Sequence, residues 1–91
     1  MMKNLPLVSV IINCFNSEQF LQEAIDSVYS QSYSNWEIVF WDNASTDNSA
    51  AIAKNNNFKL RYYCSDKNTT LGEARRRALA KANGKYVCFL D

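Results

Sequence analysis

Two nearly continuous apolar runs constrain the fold of this chain more than any other feature of its sequence. They cover Leu7 to Ile12 and Trp36 to Trp41, and each ends at a polar turn. A strand that is apolar throughout is buried on both faces, as in the centre of a parallel sheet. Parallel strands need a crossover connection, usually a helix. The runs therefore predict an α/β fold with helices covering the sheet.

Helical patterns separate the strands. The first begins near Ser17, where Asn16 and Gln19 fit a capping box. The second is a short helix from Asp47, expected to cap it, to about Lys54. The apolar residues of the first pattern recur at helical spacing and form one stripe: Phe20, Leu21, Ala24, Ile25, Val28 and Tyr29.

A third helical pattern begins at Thr70, which fits a second capping box with Glu73. The pair Asn83–Gly84 is expected to cap its end, because asparagine and glycine tolerate the left-handed conformation found there. The apolar positions of this pattern are Leu71, Ala74, Ala78, Leu79 and Ala82.

Two further strand patterns complete the fold. Phe58 to Cys64 alternates apolar and charged residues, which favours an edge strand, whereas Lys85 to Leu90 is apolar on both faces. With the continuous strands inside, the expected order is 3-2-1-4. The sequence thus predicts a three-layer, Rossmann-like α/β half-domain with four parallel strands and three helices.

The fourth strand pattern has the composition of an interior strand, yet nothing follows it in the sequence to cover its far side. Natural proteins rarely leave an apolar strand edge bare, because its unpaired backbone groups template association. We therefore expect residues 1–91 to be the N-terminal part of a longer protein, broken off just after Asp91. The isolated chain should self-associate through the fourth strand.

Composition excludes several classes of function. The net charge of +1 gives no reason to expect a nucleic-acid partner. The chain lacks histidine, so any acid–base or metal chemistry depends on carboxylates. It carries neither a membrane span nor a secretory signal, so we expect a cytosolic chain, with any attachment to the inner face of the membrane made by regions outside it. The three cysteines lack zinc-ligand spacing and are expected to be small buried hydrophobes.

The strand ends carry the candidate functional residues. In an open parallel sheet, ligands bind outside the carboxyl ends of the strands. These ends offer the amide of Asn13, the ring of Phe15 and the carboxylates of Asp42 and Asp91, and Arg75 in the third helix can lean over the same edge. A nucleotide needs such a ring, hydrogen-bonding groups and cation. Asp42 has a structural alternative as a turn residue that binds its own backbone.

No glycine-rich loop follows the first strand, since the chain has only two glycines, so a pyrophosphate must be neutralised in another way. A divalent metal held by carboxylates would do this, because Mg²⁺ and Mn²⁺ take oxygen ligands and phosphates. Asp91 is the one candidate ligand, and one carboxylate does not make a site.

Several blocks of the chain resemble family 2 glycosyltransferases, which are inverting enzymes of the GT-A fold. The first block is Pro6 to Asn16, and the second joins Leu21–Gln31 to Trp36–Ser49. Leu71–Arg75 and Ala82–Asp91 are similar to the block that leads into the D-x-D motif of that family. The blocks follow the family's order and spacing over nearly the whole chain.

The resemblance implies a site for a nucleotide diphosphate sugar, with a UDP-sugar as the expected donor and Mn²⁺ or Mg²⁺ as the metal. Asn13 and Phe15 would lie against the base, Asp42 would accept a hydrogen bond from base or ribose, and Arg75 would support the nucleotide. Asp91 would be the first aspartate of the D-x-D motif. The acceptor would be a saccharide or a lipid-linked sugar. Residues beyond position 91 would bind this acceptor and supply the catalytic base.

Two departures from the family leave the nucleotide preference open. The family commonly has Pro-Thr-Tyr where this chain has Asn13-Cys14-Phe15, so the ring keeps its stacking face and loses its hydroxyl. Arg76 stands where asparagine is usual. A nucleotide-binding module without catalytic activity is the alternative function. A phospho-acceptor receiver domain is disfavoured, because Asn13-Cys14 replaces the acidic pair that it would need after the first strand.

Overall fold

The computed structural model describes residues 5–90 and confirms the predicted sheet. Four parallel strands lie in the order β3-β2-β1-β4, as expected. The strands are β1 (Val8–Cys14), β2 (Trp36–Asp42), β3 (Leu60–Cys64) and β4 (Tyr86–Leu90). The helices are α1 (Glu18–Tyr29), α2 (Ser49–Asn55) and α3 (Leu71–Leu79).

The register brings the carboxyl ends of the strands to one edge. Ile12 of β1 lies opposite Phe40 of β2 on one side and Leu90 of β4 on the other. The chain runs from β1 outward through β2 to β3, and β4 then joins the opposite side of β1. This reversal of strand order opens a crevice at the carboxyl ends, which is where open α/β sheets bind ligands.

Alternate residues of the strands point into two apolar layers. One layer packs under α1 and α2 and is centred on Phe40, whose ring stacks on Tyr62 with the ring centroids 5.7 Å apart. The other layer lies under α3, whose buried face consists of Ala74 and Ala78. Small side chains let α3 approach the sheet closely, because helix-to-sheet distance depends on the side chains between them.

The first capping-box prediction is wrong. The residue before α1 is Ser17, and its own side chain makes no capping hydrogen bond. Asn16 instead takes a left-handed conformation with φ of 49°. Its Oδ1 accepts hydrogen bonds from the backbone N–H groups of Thr46, at 2.8 Å, and Asp47, at 3.3 Å. A long-range contact between the two strand-end loops therefore replaced the local cap.

The predicted cap of α2 at Asp47 is wrong by one residue, because the N-cap of that helix is Asn48, which makes no side-chain capping hydrogen bond. The Asp47 carboxylate nevertheless binds the first N–H group of two helices. Its Oδ1 accepts from the N–H of Ser49 at 2.9 Å, at the start of α2. Its Oδ2 accepts from the N–H of Glu18 at 3.1 Å, at the start of α1. One exposed carboxylate thus joins two helix N-termini, where negative charge is stabilising.

The predicted cap of α3 at Asn83–Gly84 is also wrong, since the helix ends at Leu79. Gly84 has no positive φ. A Cβ built on it would lie 2.6 Å from the backbone nitrogen of Ser9. Glycine is therefore required at this position by a close approach to β1 and not by a helix end. Leu71 and Leu79, the first and last residues of α3, are both exposed.

Strand β3 begins two residues later than predicted and occupies the expected edge of the sheet. Lys59 takes a left-handed conformation with φ of 55°, which ends the extended backbone there. Phe58 consequently turns outward and is 62% exposed, with its ring in edge contact with Tyr29 and Trp36.

Strand β4 pairs with β1 and exposes most of its side chains, including Tyr86, Val87 and Phe89. Self-association of the isolated chain through this strand stays a prediction. Of the three cysteines only Cys14 is buried, so the expectation of buried cysteines is wrong for Cys64 and Cys88, both at exposed strand positions. Within residues 5–90, no helix has the length and apolar character needed to cross a membrane.

Replacing Thr70 with alanine should destabilise the protein by about 1 kcal/mol. The second capping box is confirmed in its first half, since the Thr70 side chain accepts a hydrogen bond from the N–H of Glu73 at 3.2 Å. Alanine would leave that N–H without its acceptor. The urea midpoint of unfolding measures the loss, and Thr70→Ser, which keeps the oxygen, should retain most of the stability.

Candidate functional site

A cavity of about 240 Å³ opens at the carboxyl edge of the sheet. It lies between the ends of β1 and β2, the loop that precedes α3, and the first turn of that helix. Its lining residues are Asn13, Cys14, Phe15, Asn43, Asn68, Thr69, Leu71 and Ala74. Two of the predicted site residues, Asn13 and Phe15, are therefore brought together here.

Phe15 and Asn13 give this cavity an aromatic wall and a polar group. The Phe15 side chain is 50% exposed, so part of its ring is available to a ligand. The Nδ2 atom of Asn13 is buried and has no hydrogen-bond partner within residues 5–90. Buried polar groups are nearly always paired, so this amide group is a candidate donor to a bound ligand.

Asn43 forms the floor of the cavity and was not among the predicted site residues. Its Nδ2 donates to the carbonyl of Thr69 at 2.8 Å, and its Oδ1 accepts from the N–H of Thr69 at 3.0 Å. Its own N–H donates to the carbonyl of Cys14 at 2.8 Å. The side chain thus ties the end of β2 to the loop before α3, a long-range role that leaves no local pattern in the sequence.

Asp42 is buried beside the cavity and does not line it. Its Oδ2 accepts from the hydroxyl of Tyr62 at 2.7 Å, and its Oδ1 accepts from the N–H of Ser45 at 2.8 Å. Burial raises the pKa of Tyr62, and the hydrogen bond to Asp42 raises it further, so the phenol remains a donor. The bond to Ser45 is the turn role that the sequence left open, and a contact with a nucleotide stays a prediction.

Arg75 lies on α3 with its Cζ atom 5.8 Å from the ring centroid of Phe89 on β4. The guanidinium therefore lies between α3 and β4, near the point where the strand order reverses. The two arginines that follow it have a different role. Arg76 and Arg77 both bind Glu73, with N–O distances of 2.6 and 2.7 Å, and these hydrogen bonds lower the pKa of Glu73 to about 2.

A second cavity of about 270 Å³ lies on the other side of β1, between α1 and the end of β4. It is lined mainly by apolar side chains and shares Asn13 and Cys14 with the first cavity. The lining residues are Ile12, Asn13, Cys14, Ser17, Phe20, Leu21, Ala24 and Leu90. Asn13 and Cys14 therefore lie at the boundary between the two cavities.

The predicted metal ligand, Asp91, lies outside the described residues. From position 5 to position 90, no three or more cysteine, aspartate and glutamate side chains cluster in a way that could hold a metal ion. These residues alone do not fit a metal site, so we assign no chemical step to a metal.

Comparison with known proteins identifies relatives over nearly the whole chain. A family model described as "Glycosyl transferase family 2" matches residues 9–91. The putative glycosyltransferase EpsE of Bacillus subtilis is 37% identical over 90 residues, which make up 94% of this chain and 32% of that protein. The chain thus spans about a third of the length of the curated relatives that it matches.

Solved structures agree with the family match. S. aureus TarS 1-349 in complex with UDP-GlcNAc superposes with a TM-score of 0.88 at 31% identity, over 92% of this chain and 26% of that one. The mannosyltransferase PcManGT of Pyrobaculum calidifontis, in complex with GDP-Man and Mn²⁺, gives 0.84 at 27% identity, over 90% and 26%. The predicted GT-A type architecture is confirmed by these matches.

Proposed function

Because the chain belongs to glycosyl transferase family 2, we propose that the complete protein transfers a sugar from a nucleotide diphosphate sugar to an acceptor hydroxyl, with inversion. This chain would supply the part of the site that binds the nucleotide. The observation that carries the proposal is the cavity at the carboxyl edge, which combines the half-exposed ring of Phe15 with the unpaired amide of Asn13.

The cavity suits the base of the nucleotide. A volume of about 240 Å³ accommodates one planar heterocycle, so the diphosphate and the sugar would project beyond it. Phe15 offers a surface on which any base can stack. The Nδ2 of Asn13 can donate to a base carbonyl, and both uracil and guanine carry one. Both UDP-sugars and GDP-sugars therefore match this chemistry, with a UDP-sugar as the expected donor.

The remaining predicted residues have roles in the same proposal. Asp42 already accepts two hydrogen bonds, but a carboxylate has about four acceptor positions and can accept another from the base or ribose. Arg75 would support the phosphates from α3, since a guanidinium binds phosphate oxygens well. Asp91, which follows β4 in the sequence, would be one ligand of a divalent metal, Mn²⁺ or Mg²⁺. The other carboxylate ligands would come from elsewhere in the complete protein.

The transfer step itself requires a general base that takes the acceptor proton as the hydroxyl attacks the anomeric carbon and the nucleoside diphosphate leaves. We propose that this base, and the site for a saccharide or lipid-linked acceptor, belong to the rest of the protein. The 91-residue chain alone should bind nucleotide weakly and transfer no sugar. The reaction would take place in the cytosol or at the inner face of the membrane.

Replacing Phe15 with alanine should weaken UDP binding about tenfold, since base stacking on an aromatic ring contributes roughly 1–3 kcal/mol. Calorimetric titration of the complete protein with UDP and with GDP measures this and identifies the preferred base. Phe58→Ala is the matched control, because Phe58 is also an exposed phenylalanine but lies at the opposite end of the sheet.

The same titration, together with an assay of nucleotide release from UDP-sugars and GDP-sugars, decides between the proposed function and its alternative. Binding of UDP or GDP together with sugar transfer supports the glycosyltransferase. Binding without nucleotide release from any UDP-sugar or GDP-sugar would instead identify a nucleotide-binding module. A complete protein that binds neither nucleotide would contradict both.

A further inference from the structure

The side chains of strand β4 do not determine its register against β1. Its residues, Tyr86 to Leu90, are apolar at successive positions, and most of their side chains are exposed. A slip of one residue moves every side chain of a strand to the other face. For most strands that exposes the core, but for β4 it would exchange one exposed apolar residue for another. The register must therefore be fixed elsewhere.

The backbone just before β4 is held by three successive N–H groups. That of Asn83 donates to Oε2 of Glu37, that of Gly84 to Oγ of Ser9, and that of Lys85 to the carbonyl of Leu7, each at 2.8 Å. We call Ser9, Glu37 and residues 83–85 the register clamp. Its acceptors belong to β2, β1 and the residue before β1, so β4 is aligned with two strands at once.

Sterics make this alignment unique. A Cβ at position 84 would lie 2.6 Å from both the nitrogen and the Oγ of Ser9, and 2.8 Å from the carbonyl oxygen of Leu7. These distances are too short for any side chain. The chain has only two glycines, and the other is Gly72 in α3. Only Gly84 can occupy this place, so any slipped register would push a side chain into β1.

The acceptors of the clamp are themselves held in place. The hydroxyl of Ser9 donates to Oε2 of Glu37 at 2.5 Å, and the guanidinium of Arg61 on β3 donates to Oε1 at 2.7 Å. Burial would raise the pKa of Glu37, but these hydrogen bonds and that from Asn83 outweigh it and lower the pKa, so the carboxylate stays ionised as an acceptor. The clamp therefore connects all four strands.

We propose that Ser9, Glu37 and Gly84 are positioning residues for the donor site, because they fix the register of β4 and so determine where Leu90 lies at the carboxyl edge. Ser9 and Glu37 each lie five residues before the end of their strand, and Gly84 lies six residues before Leu90, which is roughly 16–20 Å from the carboxyl edge. None of the three lines the cavity. A slip of one residue would displace the strand end by about 3.3 Å. This inference rests on the proposed function.

The test is Gly84→Ala in the complete protein, with Gly72→Ala as its matched control. Gly72 has open space around its Cα, so alanine there should change nothing at the site. For Gly84→Ala we expect kcat for nucleotide release from UDP-sugars or GDP-mannose to fall about 100-fold, since a displacement of this kind costs that much. UDP affinity should fall much less than kcat, because no residue of β4 lines the cavity.

Hydrogen exchange of the β4 amides supplies a readout that does not depend on activity. In Gly84→Ala these amides should lose protection, while those of β2, which does not pair with β4, keep theirs. Unchanged kcat and unchanged protection in β4 would overturn the proposal. So would an equal loss of UDP affinity and kcat, which would mean that Gly84 supports the whole fold and not the strand end.

If Gly84→Ala fails to fold, Ser9→Ala serves instead, since it removes one acceptor and leaves the space open. The substitution removes the hydrogen bond accepted from Gly84 and the one donated to Glu37. We expect kcat to fall about tenfold, which corresponds to about 1.4 kcal/mol. An unchanged kcat would count against the clamp. A wild-type protein that releases no nucleotide would refute the proposed function, and hydrogen exchange would still decide whether the clamp sets the register.

Discussion

Replacing Asp42 with alanine should destabilise the protein by about 3 kcal/mol and weaken UDP binding at least about tenfold. The carboxylate is 1% exposed and accepts hydrogen bonds from Tyr62 and Ser45. Alanine would leave both donors without an acceptor, and each such loss costs about 1–3 kcal/mol. Urea unfolding measures the first effect, and calorimetric titration with UDP measures the second.

Asp42→Asn separates the structural role of this residue from its proposed contact with the nucleotide. The asparagine Oδ1 can still accept from Ser45, and its amide can donate to the oxygen of Tyr62, so stability should change by less than about 1 kcal/mol. UDP affinity should nevertheless fall about tenfold, because the amide presents an N–H donor in place of one of the two carboxylate oxygens that can accept. UDP binding at the wild-type level would assign Asp42 to the turn alone. Asp66→Asn, at an exposed loop position, is the control.

Replacing Glu37 with alanine should cost about 2–3 kcal/mol of stability. Three donors lose their acceptor, those of Ser9, Asn83 and Arg61. The ion pair with Arg61 adds little to this figure, because the arginine side chain is 38% exposed and solvent screens the pair. The main cost comes from the hydroxyl and the backbone N–H, and the urea midpoint of unfolding measures it.

Glu37 should also make stability depend on pH. Its pKa in the folded protein lies below the ordinary value of 4.5. The stabilisation is therefore complete above pH 4.5 and is lost as the pH falls through the lowered pKa. The stability difference between the wild type and Glu37→Gln should shrink over that acidic range. A difference that stays constant from neutral to acidic pH would show that the charge of Glu37 contributes nothing.

The sheet could be predicted from the sequence because its order depends on burial, which the apolar runs record residue by residue. Continuous runs placed β1 and β2 inside, and alternation placed β3 at an edge. The resemblance to a known family located the candidate site at the strand ends. Asn13 and Phe15 do line one cavity there, whereas Asp42 is buried behind it.

The residues that sequence reasoning missed or misassigned act over long distances. Asn16 matched a local capping box but binds a loop 30 residues further along the chain. Gly84 matched a helix cap, yet its absent Cβ matters because of Ser9, 75 residues away. Asn43 joins two loops and follows no pattern at all. A local motif describes what a residue can do, and only the fold determines which partner it meets.

The register clamp also has a consequence for the order of folding. The hydrogen bond between Ser9 and Glu37 closes a loop of 28 residues, whereas that between Ser9 and Gly84 closes one of 75. The longer closure costs about 0.9 kcal/mol more chain entropy. We therefore expect the pairing of β1 with β2 to form before β4 docks, so that β4 meets an acceptor pair already in place. The residues that line the cavity all precede β4 in the sequence, so we expect the cavity to form before this last strand joins the sheet.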